Sequence, residues 1–201
     1  MVLNKQNQKI YIQIVTNMLH MEQKLYNYEI LLNLLKGANH LRQIAKELKT
    51  NHMTIKRALD DLVKKNALDV KKQGKNNVFS IKKTLEAEKL VLMSEIYNFN
   101  KFIKKHSELR RELEELKKIK VDIIVIFGSF SKGTETPKSD IDIYIETKSR
   151  NIKEGAEKIN AKFSVKIGEY DKLNLLIKEI EKNHIIVKGV EKFYEENKFF
   201  D

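Results

Sequence analysis

The chain has 201 residues, 41% hydrophobic and 33% charged, with one proline and no cysteine. That balance suits a helix-rich globular protein of one or two domains, and the missing cysteine excludes disulfides and thiolate metal sites. No apolar run reaches the ~18 residues of a membrane-spanning helix. The opening MVLNKQNQKIYIQIV lacks the basic-then-apolar order of a secretion signal, so we expect no membrane partner and a cytoplasmic location.

The net charge of +11 is unevenly spread. Residues 1–83 hold 16 basic and 6 acidic side chains, net +10, whereas residues 84–201 hold 23 and 22, net +1. A generally lysine-rich chain would be basic throughout; the split points instead to a polyanionic partner, nucleic acid above all, for the first part.

Ile10, Ile12 and Ile14 alternate as in a strand, while Ile10, Ile14, Met18, Met21 and Leu25 also form a helical stripe. We expect a helix that packs on its own domain or pairs a homodimer. Tyr28 to Lys36 reads as an apolar helix stopped by Gly37. Asn39 or His40 can cap a short helix that buries Leu41, Ile44, Ala45 and Leu48. Thr50 or Asn51 can cap the next, with Ile55, Ala58, Leu59 and Leu62 inward. Short apolar stretches, Leu68 to Val70 and Val78 to Ile81, then flank the basic turn KKQGKNN.

This order of helices and basic hairpin, over about residues 20–83, resembles a winged helix-turn-helix domain. The resemblance implies double-stranded DNA as partner. His52, Lys56 and Arg57 would then face the major groove, and Lys71, Lys72 and Lys75 would meet phosphates from the wing. The competing reading is an ordinary solvated face or a protein-binding module.

Residues 84–118 contain neither Gly nor Pro, and Leu85, Leu92, Ile96, Phe99, Ile103, Leu109, Leu113 and Leu116 recur at helical spacing. A long connecting helix is predicted, with a break near His106-Ser107. The domain limits expected are therefore 1–83, 84–118 and 119–201.

Next comes VDIIVIFGSFSKGTETPKSDIDIYIE, residues 121–146. Its apolar run reads as a buried strand that ends at Gly128-Ser129. After a polar loop, a second strand carries Asp140 and Asp142. Side chains two apart on a strand share a face, so the carboxylates project together while Ile141 and Ile143 turn to the core. Two neighbouring carboxylates repel unless a cation lies between them, and hard oxygen donors select Mg²⁺ or Mn²⁺. A glycine lets backbone approach phosphate, and Ser129 adds a hydroxyl and an N–H at a helix start.

Gly128-Ser129, ten residues, then Asp140-Ile141-Asp142 resembles the GS-x10-DxD signature of minimal nucleotidyltransferases in the DNA polymerase beta superfamily. Lys132-Gly133 and Ser139 fit the same pattern. The resemblance spans about residues 85–197. It implies that Gly128 and Ser129, helped by Lys132, bind the phosphates of ATP or another nucleoside triphosphate, and that Asp140 and Asp142 are both catalytic and metal-binding. The acceptor is a hydroxyl on a small molecule, an RNA end or a toxin-like protein partner, as in antitoxin members.

Helices over Asn151 to Lys162 and Asp171 to Lys182 are expected around a strand, Phe163 to Ile167, with Leu173, Leu176, Ile177 and Ile180 inward. His184 to Val187 leads past Gly189 into a helix, Val190 to Asn197. The predicted fold is α+β: an N-terminal winged helix-turn-helix, a connecting helix, and a mixed sheet flanked by helices. One departure from the family stands out. The strand that commonly supplies a third carboxylate reads Phe163-Ser164-Val165-Lys166-Ile167, which has none. Glu169 and Asp171 lie just beyond it and Glu146 lies far along its own strand. The implied alternative function is a transcriptional regulator whose second domain only binds nucleotide.

Overall fold

A computed structural model describes residues 25–201. The stripe from Ile10 to Met21 lies outside the described residues. The chain divides into two compact units, residues 1–91 and 92–201.

In the first unit residues 25–34 are helical (α1) and bury Ile30, Leu31 and Leu34. A two-residue strand, β1 (Asn39–His40), leads into α2 (Leu41–Glu47), capped by His40, whose Nδ1 accepts from Gln43 N at 3.2 Å. Asn51 caps α3 (His52–Lys64) by accepting from Thr54 N at 2.8 Å, one of the orphan N–H groups of a helix start. Ile55, Ala58, Leu59 and Leu62 are all buried, as their spacing predicts. Each large aliphatic side chain so buried contributes about 1.5–3 kcal/mol. A hairpin follows, β2 (Leu68–Gln73) and β3 (Asn76–Ile81), in antiparallel register with Leu68 opposite Ile81. Its strands run further into the KKQGKNN segment than the apolar pattern marked. β1 adds to β3, giving the order β1-β3-β2. That third strand is too short to leave a sequence period.

α4 (Leu85–Lys105), a 3₁₀ turn (Ser107–Leu109) and α5 (Arg110–Lys118) occupy the expected connecting helix, with the break at His106. The expected apolar stripe is corrected on α4: Leu85 is 68% and Ile96 53% exposed, while Glu95 is buried. Glu95 faces inward because its Oε1 accepts from Tyr194 Oη at 2.8 Å and lies 3.2 Å from His184 Nε2. A carboxylate bonded through one oxygen takes a core position that hydrophobicity alone assigns elsewhere, and its Oε2 is buried without a hydrogen-bond partner among the described residues.

The second unit holds a four-stranded mixed sheet in the order β6-β5-β4-β7. β4 (Ile124–Phe127) is central and buried throughout, as a continuous apolar run requires. It pairs antiparallel with β5 (Ile141–Glu146) and with β7 (Ile185–Lys188). β5 pairs in parallel with β6 (Phe163–Gly168), and α7 (Arg150–Glu157) makes the crossover. Leu113 and Leu116 of α5 join Ile124, Ile126, Ile143, Ile145 and Val165 in the core.

α8 (Leu175–Lys182) begins later than its apolar spacing suggests, because Asn174 caps it and Asp171 Oδ1 accepts from Leu173 N at 2.9 Å. Leu173 is therefore 81% exposed, not inward, while Ile177 and Ile180 are buried. Gly189, at φ +81°, turns β7 into α9 (Val190–Glu196), and a Cβ there would overlap the carbonyl oxygen of Asp122. Only glycine fits.

Candidate functional site

β4 and β5 bring the GS turn and the aspartates together. Phe127 lies opposite Asp142 in their antiparallel register, so the residue after Phe127 reaches the Asp142 side chain. That residue is Gly128, at φ +68°. A Cβ on it would overlap Asp142 Oδ2 and lie 3.1 Å from Cγ. The glycine thus supplies both a left-handed backbone and the room for a carboxylate against the main chain.

From Gly128 the chain turns into α6 (Gly128–Lys132), ended by Gly133 at φ +69° and a Thr134 N–H bonded to Ser129 O at 3.0 Å. Ser131 Oγ lies 3.0 Å from Gly128 O and 3.1 Å from Asn183 O. Lys132 Nζ donates to Glu179 Oε1 on α8 at 2.8 Å. The loop to β5 is braced by Ser139, whose Oγ accepts from Thr136 N at 2.9 Å, and by Lys162 Nζ donating to Pro137 O at 3.0 Å.

Asp140 is exposed and stands one residue before β5; Asp142 is half-buried within it, with Ile141 and Ile143 in the core. Burial raises the Asp142 carboxyl above the usual carboxylate range, and the negative charges of Asp140 and Glu179 add to that. The Ser164 hydroxyl, which donates to Asp142, and the Lys166 charge act the other way. Asp140 is thus close enough to oppose the ionisation of Asp142.

Ser164 stands directly beside Asp142 in the parallel β5/β6 register, so a hydroxyl occupies the nearest position on the neighbouring strand. Glu169 pairs with Lys148 at 2.6 Å, past the far end of β6, and Asp171 caps the turn before α8. Burial raises the Glu146 carboxyl, and its acidic neighbours Glu196 and Asp122 raise it further. Among the described residues no group of three or more His, Asp or Glu side chains is arranged to hold a metal ion. Sequence reasoning missed Ser131 and Glu179. Ser131 carried a readable signal, a hydroxyl three residues after the glycine. Glu179 carried none, because its place depends on how α8 packs.

In the first unit His52, Lys56 and Arg57 are exposed on α3. Lys71 and Lys72 are adjacent on β2, and therefore on opposite faces of the hairpin, while Lys75 follows Gly74 in the turn. A cleft of about 270 Å³ draws Lys56 and Lys75 together with Arg42, Asp60, Asn76 and Asn77. His52, Arg57, Lys71 and Lys72 lie outside it. Arg42 escaped the sequence reading because α2 showed only a buried face.

The two carboxylates suit a hard divalent ion that takes its remaining ligands from a substrate and water. No helix among the described residues is long and apolar enough to cross a membrane. Comparisons with curated proteins and with solved structures gave no match. Residues 106–199 match the family model described as the nucleotidyltransferase domain, a span that takes in the GS turn, both aspartates and all four strands of the sheet.

Proposed function

We propose that the second unit binds a nucleoside triphosphate with Mg²⁺ or Mn²⁺ and transfers the nucleoside monophosphate to a hydroxyl. The observation that carries this reading is the seating of Asp142 against the side-chain-free Gly128, with Asp140 beside it. Asp140 and Asp142 hold the ion. Gly128 and Ser129 offer backbone N–H groups and a hydroxyl to the phosphates, and Lys132 adds a positive charge at the end of the same helical turn. When bound, the divalent ion offsets charge on the phosphates and favours in-line displacement.

In the transfer the acceptor oxygen bonds to the α-phosphorus, the bond to the bridging oxygen breaks, and pyrophosphate leaves. The acceptor proton must go to a base. Ser164, a neutral hydroxyl, cannot take it at neutral pH, so the proton passes to an aspartate, to water or to a group brought by the acceptor. Transfer by the isolated chain is accordingly slow. An acceptor on a toxin-like partner protein could bring the missing base. The test uses ATP labelled at the α-phosphate with the full chain and cell extract: label should move to an acceptor with the native protein and not with Asp140→Ala/Asp142→Ala. Equal labelling by both proteins would refute the reading.

A second reading concerns the first unit. The exposed cations of α3 and the hairpin support a winged helix-turn-helix that binds double-stranded DNA. Ser164 beside Asp142 favours coupling this unit to a nucleotide-binding domain with little turnover, as in a transcriptional regulator. Selection from random duplexes tests it. Enrichment of one sequence at moderate salt supports it, and binding without preference counts against it.

A further inference from the structure

His106 stands at the break between α4 and the 3₁₀ turn and is only 7% exposed. Its ring lies against two others. The centroids are 4.7 Å apart for Phe102, one turn earlier on α4, and 5.3 Å apart for Phe130, in the middle of α6. The edge of the ring meets acids: Nε2 is 3.5 Å from Glu135 Oε1, and Nδ1 is 3.5 Å from Glu108 Oε1. Lys105 Nζ pairs with the same Glu135 oxygen. Both His106 Nε2 and Glu135 Oε2 are buried without a hydrogen-bond partner among the described residues. Packing alone does not account for such a side chain. A buried polar group is costly to leave unpaired, and a phenylalanine would stack on the same rings.

The two segments that His106 touches are the two that build the site. Phe130 directly follows Ser129, and Glu135 lies in the loop from Gly133 to Asp140. Asp142 is held by the β4/β5 ladder, with Phe127 opposite it. Asp140 stands one residue before β5, outside that ladder, so the loop sets its position. The bond from Thr136 N to Ser139 Oγ is internal to the loop and ties it to nothing else. Lys162 ties the loop at Pro137 O. Nearer the helical turn, Glu135 ties it to Lys105 and faces His106.

We infer that His106 is a positioning residue for the nucleotide site. The face of its ring seats the GS turn through Phe130, and the edge seats the loop to Asp140 through Glu135. One side chain thereby keeps the phosphate-binding corner and the first metal-binding carboxylate at a fixed spacing, and it touches neither nucleotide nor metal. The inference rests on the nucleotidyltransferase reading above.

The experiment titrates Mg-ATP into the full-length chain by calorimetry and records the melting temperature of each protein. His106→Phe keeps the ring face and removes the nitrogen edge. It should bind Mg-ATP about three- to tenfold more weakly than the native protein. Its melting temperature should be no lower, since a buried unpaired nitrogen is gone. Glu135→Gln breaks the same contact from the other side and should weaken binding at least as much. The two substitutions together should cost no more than the larger of the two alone. His106→Ala removes face and edge, and should bind more weakly than His106→Phe. Native affinity in His106→Phe and Glu135→Gln, with binding abolished in Asp140→Asn/Asp142→Asn, would overturn the inference and leave the site standing. So would losses that multiply in the double substitution, because the two side chains would then act separately. If the native protein bound no Mg-ATP, the inference and the reading beneath it would fall together.

Discussion

The two parts of the chain differ in charge, net +10 over residues 1–83 and net +1 over residues 84–201. In the first, Lys56, Arg57, Lys71, Lys72 and Lys75 of α3 and the hairpin stand in no ion pair among the described residues, while Asp61 of α3 pairs with Lys65 and Asp69 of β2 with Lys82. In the second, five lysines pair with glutamates: Lys132 with Glu179, Lys148 with Glu169, Lys153 with Glu157, Lys192 with Glu196, Lys105 with Glu135. There Asp140 and Asp142 stand together in no ion pair among the described residues. Exposed ion pairs add little to stability, so the contrast speaks to partners more than to folding. Unmatched positive charge calls for a polyanion, and unmatched carboxylates call for a cation.

Substitutions in either unit put this contrast at risk. The greatest loss is expected from Asp140→Ala/Asp142→Ala, which should reduce nucleotide transfer to background and leave DNA affinity unchanged, read by label transfer and fluorescence anisotropy in parallel. Replacing Lys56, Arg57, Lys71, Lys72 and Lys75 together should do the reverse. DNA affinity should fall on the order of 10³-fold, and the salt dependence should flatten by about 0.9 for each phosphate no longer neutralised, with nucleotide binding intact. Loss of both activities in either protein would mean that the two functions are not separable.

Ser164→Asp gives the second unit a third carboxylate beside Asp142 in the β5/β6 register. Transfer should rise on the order of 10²-fold, while the added like charge lowers the melting temperature of the nucleotide-free protein. An unchanged rate would show that proton removal does not limit transfer. Gly128→Ala must place a Cβ where the Asp142 carboxylate sits, at a φ that alanine resists. It should cost about 1–3 kcal/mol of stability and weaken metal binding, both read by thermal melts with and without Mn²⁺.

Asp142→Asn should have a modest and pH-specific effect. The folded-state pKa of Asp142 is raised, first by burial, so ionised Asp142 opposes folding at neutral pH and ceases to do so below the ordinary carboxylate range. The substitution should therefore raise the melting temperature of the nucleotide-free protein at neutral pH. That gain should vanish in acid. A gain that persisted in acid would come from something other than charge.

The parts of the molecule that were legible in sequence are those fixed by local chemistry. The stripe Ile55, Ala58, Leu59, Leu62 with its Asn51 cap, the run into β4, and the break at His106 all follow from periodicity, capping or chain punctuation. The pairing of the strands on either side of Gly128 was legible too, since an apolar strand, a tight corner and an alternating strand leave few ways to pair; that Gly128 makes room for Asp142 was not. Glu95 and Glu179 were not. One is an acid inside the core, met at one oxygen by Tyr194 and His184 from nearly a hundred residues away, and the other depends on the docking of α8. The exposed Leu173 shows the converse error, where Asn174 rather than hydrophobicity decides where a helix begins.

The proposed chemistry stands or falls with Asp140 and Asp142 jointly gripping a divalent ion that bears a nucleoside triphosphate. Calorimetric titration of Mg-ATP into the full-length protein and into Asp140→Asn/Asp142→Asn decides the matter. The native protein should show saturable binding that requires the metal, and the substituted protein should show none. Equal binding by the two proteins, or metal-independent binding by both, would contradict it.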